Sequence, residues 1–127
     1  MTKRAISTQQ APAAIGPYSQ AIATDNLIFI SGQLPIDPAS GKMVDGDIGI
    51  KTRQIIKNAQ AIAEKAGTDL SHVVKTTIFL TDLADFQEVN AAYGSFFTET
   101  PPARSTVQVA GLPLGSNIEI EFILSVE

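Results

Sequence analysis

The residues best suited to chemistry in this chain are one arginine and a pair of glutamates. Arg104 opens the stretch RSTVQV, in which Arg104, Thr106 and Gln108 alternate with Ala103, Ser105, Val107 and Val109. Period-two alternation assigns each set to one face of a strand. A guanidinium is permanently charged, and its planar fork of donors matches a carboxylate. Pro101 and Pro102 stiffen the approach to it. A small organic acid is the ligand such a residue would hold. The pattern also fits a surface arginine, or one half of a structural ion pair with Glu119 or Glu121. These two glutamates share one face of the strand IEIEFILSV. Same-face carboxylates raise one another's pKa and can yield a general base or acid near neutrality. A solvated strand face is the plainer reading of the pair.

Other groups are less specific. The corners GPYSQ (16–20) and SGQLP (31–35) expose backbone groups that can orient a ligand or a water. Neither is a phosphate loop, because no Gly-Lys-Ser follows. Tyr18 offers a phenolic hydroxyl or simply packs. Asn90 stands at helical spacing from Phe86 and Tyr93, on an apolar face. Its amide either bonds a loop backbone or reaches a pocket. His72 is the one imidazole, and no motif links it to Ser19, Ser31 or Ser105 as a triad. It reads as a surface or capping residue.

Composition excludes several classes. The 127 residues contain no cysteine, so disulfides, thiolate nucleophiles and cysteine metal sites are ruled out. One histidine cannot build a histidine-rich metal centre. A net charge of −4 with nine scattered basic residues argues against a nucleic-acid partner. The N-terminal stretch MTKRAISTQQAPAA has no apolar core of a signal peptide, and no apolar run is long enough to cross a membrane. A cytoplasmic location is the expectation. Hydrophobic content of 44% and charged content of 17% suit one globular domain over residues 1–127. So little charge suggests that other copies of the chain cover part of the surface.

The elements that would carry these residues follow from periodicity. A short strand, a loop and a strand around Tyr18–Ala23 lead to the turn Asp25-Asn26 and the buried strand LIFIS (27–31). The loop GQLPIDPASGKMVDGD is too rich in proline and glycine for a helix or a central strand. A helix starts near Asp47 as N-cap, buries Ile55, Ala59, Ile62 and Ala66, and stops at Gly67. VVKTTIFL (73–80) is a strand. A second helix follows, with Asp85 and Glu88 at capping-box spacing and Phe86, Val89, Tyr93 and Phe96 on its apolar face. Strands RSTVQV and IEIEFILSV close the chain. This order predicts an α/β (α+β) sandwich, with a mixed six-stranded sheet and both helices on one face. In the last strand Ile118, Ile120, Phe122 and Leu124 would meet the helices. The polar sets of the last two strands would lie together on the opposite, open face, suited to a subunit interface.

APAAIGPYSQA, ISGQLPIDPASG, VVKTTIFLTDLADFQEVNAAY, FFTETPPARSTVQVAGLP and IEIEFILSV together resemble the RidA (YjgF) family of reactive intermediate deaminases, in that family's order and spacing. The resemblance implies a chorismate-mutase-like fold. The last strand would lie between the LIFIS and VVKTTIFL strands. It implies a homotrimer with ligand sites between subunits and no cofactor or metal. It further implies hydrolysis of 2-imino acids and their enamine tautomers, released by PLP enzymes, to 2-oxo acids and ammonia. Carried over by position, Arg104 binds the substrate carboxylate and Glu119 activates water. Tyr18, Ser31, Gly32, Asn90 and Thr106 line the pocket. Many members have a cysteine where this chain has Thr106, so no cysteine nucleophile enters here. Two other activities fit the same resemblance: a non-catalytic small-ligand sensor or stress chaperone, and a translation-inhibiting ribonuclease, which the acidic balance disfavours.

Overall fold

The computed structural model describes residues 3–126; Met1, Thr2 and Glu127 lie outside the described residues. Eight strands and two helices run in the order β1 (Arg4–Ile6), β2 (Ala21–Ala23), β3 (Leu27–Gln33), β4 (Ile36–Asp37), β5 (Lys42–Met43), α1 (Ile48–Lys65), β6 (Val73–Leu80), α2 (Phe86–Gly94), β7 (Ala103–Gln108) and β8 (Ile118–Ser125). Six of them form one mixed sheet in the order β1-β2-β3-β8-β6-β7, with β7 parallel to β6 and the other pairs antiparallel. The last strand thus lies between β3 and β6, as the resemblance implies. β4 and β5 form a separate two-stranded ribbon inside the proline-rich loop. None of the helices described is long and apolar enough to cross a membrane.

Both helices pack on one face. α1 lies against α2, β8 and β3. Its buried stripe is Ile55, Ile56, Ala59, Ile62 and Ala63, and it meets Ile118, Ile120, Phe122 and Leu124 of β8 in one core. Asp47 caps its start by accepting from the Ile50 amide at 2.9 Å. At its end, Gly67 takes a φ of +88°. There the Gly67 and Thr68 amides bond the Glu64 and Ala63 carbonyls, the paired closure of a Schellman turn. Asn58 is buried on the same helix and donates to the Ile36 carbonyl at 2.9 Å, tying the proline-rich loop to the core.

Four expectations need correction. Asp85 and Glu88 form no capping box: Asp85 has helical φ/ψ and makes no side-chain cap bond. Asp82 instead caps the preceding 3-10 turn, accepting from the Ala84 amide at 2.9 Å. Glu88 turns away and accepts from the Gly49 amide at 3.3 Å, in the first turn of α1. β2 is shorter than the predicted 18–23. The buried Gln20 side chain bonds the backbone of Thr8, Ala11 and Pro12, which holds the incoming loop out of the ladder. β3 is longer, continuing through Gln33 by an irregularity between Ile30 and Gln33. That irregularity sets Ser31 and Gly32 opposite the single residue Glu121 and keeps Ile30 and Gln33 on the buried face.

The fourth correction concerns the faces of the sheet. Arg104, Thr106 and Gln108 do not share a face with Glu119 and Glu121. The β6–β7 register pairs Arg104 with Thr76, Thr106 with Ile78 and Gln108 with Leu80. Those partners are fully buried under the helices. Glu119 and Glu121 pair with Phe79 and Thr77, which point the other way. The physical reason is the position of β7. As an edge strand it lies where the helix layer thins, so Arg104 and Thr106 on its helix-side face are only half-buried and Gln108 is exposed.

Candidate active site

The helix-side half of the site is built by β7 and α2. Phe86, Asn90 and Tyr93 are spaced four and three residues apart and so share one flank of α2. The Arg104 guanidinium carbon stands 5.4 Å from the Phe86 ring centroid and 5.1 Å from that of Tyr93. Each contact is a cation–π attraction of about 0.5–1 kcal/mol. Tyr93 is itself fixed, because its hydroxyl bonds Thr76 Oγ1 at 2.7 Å. Burial pushes the Tyr93 phenol above its ordinary pKa, so it stays neutral beside the arginine. The Arg104 guanidinium has no carboxylate partner among the described residues. A depression of about 480 Å³ opens beside it, lined by Arg104, Asn90, Tyr93, Phe97, Pro101 and Pro102.

Two polar atoms on this side are left without partners. Asn90 Oδ1 and Thr106 Oγ1 are shielded from solvent and make no hydrogen bond. Asn90 therefore does not tie down a loop; it lines the depression with Arg104. Pattern reading missed Tyr93 and Phe86 as parts of the site, having placed both only in the core. The signal was present: an aromatic three or four residues on either side of an apolar-face asparagine.

The open-face half comes from β3, β8 and the loop before β2. A Cβ placed on Gly32 would lie 2.5 Å from Glu119 Oε2, so only glycine permits this approach of the carboxylate to the backbone. Ser31 donates from Oγ to the Ser19 carbonyl at 2.6 Å, which fixes the corner. Tyr18 is exposed, and its hydroxyl accepts from the Ile15 amide at 3.3 Å. Tyr18, Ser31 and Glu121 line a shallow depression of about 410 Å³. Burial, and then the neighbouring Glu121 charge, push Glu119 above the ordinary glutamate range. His72 is exposed in the turn before β6, where its Nδ1 lies 3.4 Å from Asp69. That is the surface role expected of it.

One chain therefore brings together Arg104 and Asn90, with Thr106 on the same strand face, and separately Tyr18, Ser31, Gly32 and Glu119. The two groups project from opposite faces of the sheet. β6 stands between β7 and β8, so the two strands are also about 10 Å apart. No small ligand held by Arg104 reaches Glu119 of the same chain. Among the described residues, no group of three or more histidine, cysteine or acidic side chains could hold a metal ion.

Residues 8–126 match the family described as Endoribonuclease L-PSP. The chain belongs to this family. Reactive Intermediate Deaminase A of Arabidopsis thaliana is 53% identical over 121 residues, covering 95% of this chain and 65% of that protein. The human 2-iminobutanoate/2-iminopropanoate deaminase is 49% identical over 123 residues, covering 97% of this chain and 90% of the relative. The crystal structure of the YjgF gene product of E. coli superposes with a TM-score of 0.93 at 46% identity, covering 98% of this chain and 99% of that one. The resemblance read from the sequence motifs, and the fold it implied, are thus borne out. The chain has an arginine on its edge strand, a glycine-backed glutamate on β8, and no cysteine.

Proposed function

We propose that the protein hydrolyses reactive 2-imino acids, and their enamine tautomers, to 2-oxo acids and ammonia. The observation that carries this reading is the Arg104 guanidinium, without a carboxylate partner among the described residues, set against the Phe86 and Tyr93 rings and facing an open depression of about 480 Å³. The names of the Arabidopsis and human relatives support it.

The chain acts as a homotrimer with sites between subunits. The separation of the two half-sites supports that arrangement, since the edge of one copy would have to meet the open face of the next. Arg104 holds the substrate carboxylate in a bidentate pair. Asn90 and Thr106 line the same side. Glu119 of the neighbouring copy, backed by Gly32, accepts a proton from water as the water oxygen bonds the C=N carbon. Tyr18 and Ser31 close the site from that copy. The C=N π pair passes to nitrogen, which takes that proton back from Glu119; the hydroxyl proton of the resulting carbinolamine then moves, again through Glu119, to the nitrogen, and the C–N bond breaks as the C=O bond forms, releasing ammonia. Positioning does most of the work, because imines of this class already hydrolyse in water. No metal, cofactor or thiolate is used.

The test generates 2-iminobutanoate and 2-iminopropanoate with an amino-acid oxidase and traps the survivors with semicarbazide. Wild type should reduce trapping, and Arg104→Ala should lower the rate by at least about a hundredfold, as expected for loss of a charge-assisted clamp, with the oligomer intact. Normal turnover by the alanine variant would remove the clamp. No turnover by an assembled wild type would leave a small-ligand sensor or chaperone as the better reading.

A further inference from the structure

Thr76 is a polar residue in a buried row. The helix-side set of β6 runs Thr76, Ile78 and Leu80, and all three are fully buried. Valine has the shape of threonine without the hydroxyl, so packing alone does not ask for the polar residue. A buried hydroxyl costs free energy unless it finds a partner. Here the partner is the Tyr93 hydroxyl, at 2.7 Å. Tyr93 is itself buried, so each group satisfies the other away from water.

The bond closes a ring of contacts on Arg104. Thr76 is the residue directly opposite Arg104 in the β6–β7 register. Its hydroxyl holds Tyr93, whose ring centroid stands 5.1 Å from the Arg104 guanidinium carbon. Tyr93 therefore bridges from the arginine's own sheet neighbour back to the arginine. Phe97 supports the same ring, with centroids 4.7 Å apart. Phe86 offers a second ring at 5.4 Å, but a phenylalanine has no hydroxyl by which to be fixed. Tyr93 also lines the depression beside Arg104. Without Thr76 its hydroxyl would be buried and unbonded, and turning toward that depression is its route to water.

We propose that Thr76 and Tyr93 are positioning residues for Arg104: their hydrogen bond fixes the ring against which the guanidinium rests, and so pre-sets the arginine for a carboxylate. A free arginine side chain has many rotamers, and that freedom is lost when it binds. Ordering it beforehand strengthens binding without a new contact to the ligand. Thr76 does this from full burial. The inference deepens the deaminase reading and takes its ligand class, a 2-oxo or 2-imino acid, from it. The order of the Arg104 side chain is a property of the ligand-free protein and does not depend on that reading.

The test pairs NMR relaxation of the Arg104 Nε–Hε group in ligand-free protein with calorimetric binding of 2-oxobutanoate, on wild type, Thr76→Val and Thr76→Ser. Arg4 and Arg53 are the only other arginines, so the signal is readily assigned. Thr76→Val keeps the shape and removes the bond; Thr76→Ser keeps the hydroxyl and removes a methyl. The valine variant should drop the Arg104 order parameter below about 0.6, the range of flexible groups. It should weaken binding about fivefold, the scale of one cation–π contact. The serine variant should stay close to wild type in both, although it leaves a gap in the core. If the valine variant does not fold, Tyr93→Phe removes the same bond from the other side and decides. An Arg104 that stays ordered without the bond overturns the proposal. So does an unchanged affinity for an acid that wild type binds, or a serine variant that loses as much as the valine one. An Arg104 ordered in wild type and loosened in Thr76→Val, with no binding of 2-oxobutanoate and no imine hydrolysis by wild type, would sink the deaminase reading and leave the positioning role standing.

Discussion

Glu119 is kept protonatable by its surroundings. Gly32 lets the backbone approach the carboxylate, and burial and Glu121 both oppose its ionisation. A carboxyl whose pKa is raised in the folded chain binds its proton more tightly there than in the unfolded chain. Stability therefore falls as pH rises from the ordinary value of 4.5 through the raised folded value. Glu119→Gln should melt higher than wild type at neutral pH, and the gain should vanish below about pH 4. Thermal melts across this range would show it; an equal gain at every pH would mean that ionisation is not the cause. The same variant should lose the acid limb of the pH–rate profile along with most of the rate.

At the scale of elements, α1 is the most carefully terminated piece of the chain. Asp47 serves the Ile50 amide and Glu88 reaches from α2 to the Gly49 amide, so two carboxylates answer the exposed donors of one helix start. Asp47→Ala should cost about 1 kcal/mol in denaturant unfolding. Glu88→Ala should cost less, because its bond is longer. The double variant should depart from the sum, since both carboxylates approach Gly49. Strict additivity would mean that the two caps act independently.

For the whole molecule, the uncovered sheet face is the chief structural demand. Phe29 and Val107 are each 41% exposed there. Ile22, Phe79 and Ile123 are half-buried on the same face. An apolar face flanked by Glu119, Glu121 and Lys75 suits contact with further copies better than contact with water. Phe29→Glu should shift the protein to monomers in sedimentation or light scattering. Imine hydrolysis should be lost with the assembly, although Arg104 is untouched. An active monomer would show that one chain holds a complete site and would end the between-subunit reading.

The sequence by itself determined the elements, because their signals are local. The β-branched run VVKTTIFL, the Asp47 cap and the Gly67 stop each act within a few residues, and β6 and α1 fall where these signals predict. It also pointed to Arg104, since an arginine on an alternating strand after two prolines stands out in so weakly charged a chain. Only tertiary structure decided which face each strand presents. Alternation divides a strand into two sets, but the register with a neighbour decides which set faces the helices. For β7 that register is with β6, from the far side of α2, and it carried Arg104 away from Glu119. Capping failed for the same reason: Glu88 found a better donor on α1 than at its own helix start. The glycine behind Glu119 joins residues distant in the chain, and no local pattern encodes such a meeting.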